Sequence, residues 1–226
     1  MGRAISNKNV CDARFNLAEF EGAWLASFGK PELRGAWIIF GESGSGKTHF
    51  ALELLKYLSQ FVDRVAYDTL EQGLSKSFQT AWNDADMQSV GTKVVVYHKE
   101  QIDALCERLR RRKSPQVVVV DSITAMVGFT RPMFARLLEE FPDKLFIFLA
   151  HEENGKPYPA IAQHIRKLSE VKYNLHSYLL SCFLFVSFFF FLIFILLFFI
   201  AFAVAIASLH NSVGHHRQAA KQNVVG

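Results

Sequence analysis

Eight consecutive residues, Gly41-Glu42-Ser43-Gly44-Ser45-Gly46-Lys47-Thr48, fit the pattern G-x-x-x-x-G-K-[ST]. Residue types in this order suit phosphate. Glycines let the backbone curl until successive N–H groups converge on an anion, and a helix opening at the lysine adds the partial positive charge of its N-terminus. In such a loop Lys47 reaches the β and γ phosphates of a nucleoside triphosphate, and Thr48 offers its hydroxyl to Mg2+. The expected cofactor-binding set is therefore Gly41, Glu42, Ser43, Gly44, Ser45, Gly46, Lys47 and Thr48, with ATP and Mg2+ as the ligands.

Three residues farther along could complete the chemistry. Asp121 closes the apolar run Val117 to Val120, a Walker B pattern that puts a carboxylate where it can hold the water shell of the metal. Thr48 and Asp121 are thus the expected metal residues. Glu71 follows the short run Val65 to Tyr67. A carboxylate there can activate water for attack on a γ phosphate, although a solvated loop acid has the same appearance. His151 follows Leu145 to Ala150 and could donate a hydrogen bond to that phosphate, although a lone histidine at a strand end is commonly structural. The expected catalytic set is Glu71, Lys47 and His151.

These residues must be held by a sheet. Ala36 to Phe40, Val65 to Tyr67, Val94 to Tyr97, Val117 to Val120 and Leu145 to Leu149 are short apolar runs that read as strands. Phe50, Ala51, Leu54, Leu55, Leu58 and Phe61 recur at helical spacing after the glycine loop. Further helices are expected at Ser75 to Trp82, Gln101 to Arg112 and Arg131 to Phe141. Alternating strands and helices, with strands apolar on both faces, predict an α/β fold in which a mainly parallel sheet is flanked by helices. Ligands of such sheets sit at the carboxyl ends of the strands, where the glycine loop, Glu71, Asp121 and His151 all fall.

The glycine loop, the glutamate after the second strand, Asp121 followed by Ser122, and a polar residue closing the next strand together resemble the RecA, RadA and DnaB family of P-loop ATPases, in particular its small phage and mobile-element members. The resemblance covers about residues 35–172. It implies a strand order of 3-2-4-5-1, which gathers Glu71, Asp121 and His151 around one γ phosphate. It also implies ATP hydrolysis, a DNA recombination, repair or replication setting, DNA as a partner, and a homo-oligomer. The usual sensor in the family is Gln rather than His, and the trans-acting Arg or Lys finger has no secure match. A phosphotransferase is disfavoured because no acceptor pocket is legible.

Charge adds little. Up to Lys172 there are 23 Lys and Arg against 21 Asp and Glu, so net charge does not argue for nucleic acid. The run Arg108, Arg110, Arg111, Arg112, Lys113 could meet phosphates but reads more simply as a solvated helix end complementing the helix dipole. Cys11, Cys106 and Cys182 suggest neither a disulfide framework nor a thiolate metal site. A cytoplasmic ATPase domain is expected.

The composition changes abruptly after Lys172. Residues 177–209 carry no charge, and 18 of the 20 residues from Phe183 to Phe202 are Phe, Leu, Ile or Val. Roughly 20 apolar residues span a bilayer, and insertion of this stretch is worth roughly −5 to −11 kcal/mol. Two origins stay open: a transmembrane helix anchoring the ATPase to a membrane, or a shifted reading frame replacing the family's last strands, since T-rich sequence out of frame encodes Phe runs. The expected domains are 1–172 for the ATPase lacking its last strands, 177–209 for the hydrophobic segment and 210–226 for a polar tail. Loss of the last strands would leave the glycine-loop strand as an exposed edge and lower stability.

Overall fold

The apolar runs that precede the candidate residues are all strands. The computed structural model describes residues 4–15 and 17–175. Strands β1 (Gly35–Gly41), β2 (Val65–Thr69), β3 (Val94–His98), β4 (Val117–Asp121), β5 (Leu145–Glu153), β6 (Lys156–Tyr158) and β7 (Val171–Asn174) form one sheet in the order β3-β2-β4-β5-β1-β7, with β6 paired to β5. Every pairing among these strands is parallel except the β5–β6 hairpin. The order of the first five strands is the expected one, with the His151 strand between the glycine-loop strand and the Asp121 strand.

Among the described residues, seven α-helices accompany the sheet: α1 (Asn7–Cys11), α2 (Gly22–Phe28), α3 (Lys47–Leu58), α4 (Lys76–Asp84), α5 (Ile102–Leu109), α6 (Arg131–Glu140) and α7 (Ala160–Leu168). Their starts follow local chemistry. Ser75 and Thr130 accept hydrogen bonds from the N–H groups of Phe78 and Met133 and so cap α4 and α6. Pro132 sits in the first turn of α6, where a missing N–H costs nothing. Basic residues Arg166 and Lys167 lie in the last turn of α7, where they complement the helix dipole.

Strand periodicity divides the core in two. Ile38, Phe40, Ala66, Val118, Val120, Phe146 and Phe148 face one way and pack with Leu105, Leu109, Phe134, Leu137 and Ile165 from α5, α6 and α7. Trp37, Ile39, Val65, Tyr67, Val119, Ile147 and Leu149 face the other way and meet Phe50, Ala51, Leu54, Leu55 and Leu58 of α3. Covered on both faces, the strands read as unbroken apolar runs instead of alternating ones.

The far side of β1 differs from expectation. β7 pairs with it from Trp37↔Val171 to Phe40↔Asn174, and the fully buried Leu175 donates its N–H to Phe40 O at 2.9 Å. Tyr173 stacks on Phe50 at 4.9 Å and on Phe28 at 5.6 Å. The glycine-loop strand is therefore interior, and the exposed edge expected for it is corrected. A four-residue strand containing Lys172 and Asn174 has too short and too polar a pattern to be read from sequence, and its burial comes from aromatic neighbours distant in the chain.

Two members of the basic run have acidic neighbours. Arg108 pairs with Glu100 and lies over the Tyr97 ring at 5.1 Å, while Arg110 makes a two-pronged bond to Glu140 at 2.5 and 3.1 Å. Among the described residues no helix is long and apolar enough to cross a membrane. The hydrophobic segment at 177–209 and the polar tail at 210–226 lie outside the described residues.

Candidate active site

The carboxyl ends of β1, β2, β4 and β5 converge on the expected set of residues. After β1 the chain enters the glycine loop, where Gly44 and Gly46 take φ of 76° and 84°, left-handed values that favour glycine. At Gly41 the reason is space: a Cβ would fall 2.9 Å from Ser45 Oγ. That hydroxyl is buried and has no partner among the described residues, so a phosphate oxygen would satisfy it. Gly46 is the N-cap of α3, which opens at Lys47.

Lys47 is 7% exposed. Its Nζ donates to Gly41 O at 3.0 Å and to Glu42 O at 2.7 Å, folding the side chain back over its own loop. Burial lowers its pKa, and the charges of Asp121, Glu71 and Glu152 oppose that shift. An ammonium group desolvated among carboxylates, but bonded to carbonyls, is prepared for an anionic ligand.

Thr48, on α3, donates from Oγ1 to Asp121 Oδ2 at 2.9 Å. Donation leaves the lone pairs of the hydroxyl free. A hydroxyl and a carboxylate are the hard oxygen donors that Mg2+ prefers, so Thr48 and Asp121 fit the expected ion. Asp121 is 6% exposed. Burial raises its pKa, and hydrogen bonds from Tyr67 and Thr48 oppose the rise.

Glu71 stands at the centre. The N–H groups of Leu70 and Glu71 both donate to Asp121 O, at 2.6 and 3.1 Å, which ties the end of β2 to the end of β4. The Glu71 Oε2 atom accepts from Ser122 Oγ at 2.6 Å and lies 2.9 Å from His151 Nε2. Burial alone would raise the Glu71 pKa. The bonds from Ser122 and His151, with the charges of His151 and Lys47, carry it below its ordinary value instead. Glu71 is thus held as a carboxylate. His151 contacts this carboxylate directly, where the sequence suggested a phosphate contact. The Asp121–Ser122 and Tyr158–Pro159 peptides are cis.

Two residues were assigned no role from the sequence. Tyr67 OH donates to Asp121 Oδ2 at 2.5 Å from a fully buried position. The available signal was its place two residues before Thr69, the register partner of Asp121, on the same face of the sheet. The other is Asp68, fully buried on the opposite face, with Oδ1 accepting from Glu100 N at 3.2 Å and Oδ2 unpartnered among the described residues.

Asp68 makes stability depend on pH. Burial raises its pKa from 3.8 to about 7, against the backbone bond from Glu100. The folded chain therefore keeps this proton up to about pH 7, while the unfolded chain releases it near 3.8, and stability falls as pH rises through that window. Asp68→Asn is expected to stabilise the protein at pH 8 by up to about 4 kcal/mol, with no gain below pH 4. Urea denaturation of both proteins at the two pH values checks this, and equal midpoints at pH 8 would remove Asp68 as the source.

The sequence matches no family model and no curated protein. Among solved structures, the flagellar accessory protein FlaH from Methanocaldococcus jannaschii aligns at a TM-score of 0.53 and 14% identity, covering 71% of this chain and 80% of that one. The ATPase domain of a second protein aligns at a TM-score of 0.39 and 16% identity, covering 58% of this chain and 64% of that one. The FlaH likeness bears on the fold, and the second match adds no weight to it. By its sheet order, its glycine loop and this likeness, the chain resembles the RecA-like P-loop ATPases over part of its length and has their fold.

Proposed function

We propose that the protein binds Mg-ATP in the Gly41–Thr48 loop and hydrolyses it. The observation that carries this reading is the carboxylate cluster: Glu71 is held by Ser122 and His151 at 2.6 and 2.9 Å beside the Thr48–Asp121 pair. In this reading Lys47 leaves the loop carbonyls and bonds the β and γ phosphates. Bound Mg2+ would supply charge neutralisation at those phosphates, with Thr48 and Asp121 holding it. Glu71, ionised at neutral pH, orients the attacking water and accepts its proton. His151 reports the γ phosphate to Glu71, because one imidazole can bond either group. Hydrolysis is favoured over transfer to another acceptor because the groups at this end of the sheet serve water.

The family resemblance extends the proposal to work on DNA in recombination, repair or replication, by a homo-oligomer. The test is ATP turnover by the full chain in mild detergent, with and without single- and double-stranded DNA. Binding of a fluorescent ATP analogue at micromolar concentration and a rise in turnover with DNA are expected. Nucleotide binding without any DNA effect would favour a second reading, motivated by the uncharged residues 177–209: a membrane-anchored nucleotide-binding module with no DNA motor activity.

A further inference from the structure

Two hydroxyls compete for one oxygen of the metal carboxylate. Thr48 Oγ1 and Tyr67 OH both donate to Asp121 Oδ2, at 2.9 and 2.5 Å. Among the described residues no hydrogen bond reaches Oδ1. The two donors differ in setting. Thr48 belongs to the phosphate loop, whereas Tyr67 lies on β2, fully buried, with its ring 5.4 Å from Phe78 of α4. Register explains the reach: Tyr67 opposes Val119, and Thr69 opposes Asp121, so the tyrosine is the diagonal neighbour of the aspartate on one face. Diagonal pairs lie about 7–8 Å apart, within range of a long side chain.

A carboxylate held by one oxygen can turn only about that bond. Without the phenol, Asp121 would be anchored by Thr48 alone, the residue whose hydroxyl must also serve the metal. We infer that Tyr67 is a positioning residue for the metal: its buried hydroxyl fixes Oδ2 of Asp121 so that Oδ1 is presented to the Mg2+ ion that arrives with the nucleotide. This deepens the Mg-ATP reading and rests on it. A phenol that merely filled the core would leave metal dependence untouched, because the ring contacts to Phe78 survive loss of the hydroxyl.

The experiment uses the full chain and a fluorescent ATP analogue, with Mn2+ binding followed by electron paramagnetic resonance. For Tyr67→Phe, affinity for the analogue in EDTA is expected to stay within about twofold of wild type. The Mg2+ concentration for half-maximal tight binding, and the Mn2+ dissociation constant, are expected to rise roughly ten- to hundredfold, the usual effect of losing a group that orients a metal ligand. Unchanged metal requirement, or equal weakening with and without metal, overturns the inference. Should Tyr67→Phe not fold, 3-fluorotyrosine at position 67 keeps the hydroxyl and makes it a stronger donor. Metal affinity must then differ from wild type while analogue affinity in EDTA does not, and an unchanged metal affinity overturns the inference. A wild-type chain that binds no nucleotide overturns both readings and is recognised before any substitution is made.

Discussion

Lys47→Ala is expected to abolish measurable ATP turnover and to weaken Mg-ATP binding by roughly a hundredfold or more, while leaving the fold at least as stable as wild type. The first half follows from desolvation. Lys47 is nearly buried and, among the described residues, bonds to the carbonyls of Gly41 and Glu42, so its charge is uncompensated by any direct ion pair until a phosphate arrives. Truncating one partner of a buried, hydrogen-bonded charge pair typically costs about 2–5 kcal/mol, and about 1.4 kcal/mol is tenfold in affinity. The second half has the same cause with opposite sign. Burial lowers the Lys47 pKa, which means that the charged form is disfavoured in the nucleotide-free fold, and deleting it removes a cost. Isothermal titration with Mg-ATP and thermal melting of the free protein measure the two effects. Unchanged affinity would sink the phosphate assignment, and a large fall in melting temperature would show that Lys47 is structural.

Glu71→Gln separates binding from chemistry. The amide keeps an oxygen for the bond from Ser122 but cannot take a proton from water, so turnover should fall roughly 10²- to 10⁴-fold while Mg-ATP affinity changes only a few-fold. Single-turnover rates on enzyme saturated with nucleotide give the first number and equilibrium titration the second. The pH profile sharpens the test. Because Ser122 and His151 overcome burial and hold the Glu71 pKa below its ordinary 4.5, the carboxylate is the active form through neutral pH. Activity should be lost only as pH falls through that lowered value. An acid limb near neutrality would point to a different base. If the glutamine variant turned over at the wild-type rate, Glu71 would be a bystander beside the site.

Much of the site was legible because it is local. Gly41 to Thr48 is one contiguous stretch whose glycines, lysine and threonine are recognisable without knowing where the rest of the chain goes. Asp121 and Glu71 were legible at one remove, since Asp121 ends the apolar strand β4, Glu71 lies two residues beyond β2, and a parallel sheet puts strand ends on one rim. His151 was read as following a strand that ends at Leu149, whereas β5 continues to Glu153 and holds His151 within it, paired with Tyr158 of β6; its contact with Glu71 was not readable. Its contact with Glu71 spans 80 positions of sequence and depends on β2 and β5 lying on either side of β4. Strands β6 and β7 were missed because they are short, carry charged residues and bury one face only; helix α7 was also missed.

The conformation of the glycine loop and the start of α3 were determined by residue order alone, because backbone curl and helix start are set by neighbouring residues. What the tertiary structure decided is how the charges are tuned. Register across β2 and β4 puts the Tyr67 hydroxyl on Asp121, and the meeting of two strand ends and one β-hairpin strand puts Ser122 and His151 on Glu71. The pairing of β7 turns the glycine-loop strand from an edge into an interior strand. Each of these contacts joins residues more than 50 positions apart, and closing such distances is a property of the sheet as a whole, which no local pattern of side chains encodes.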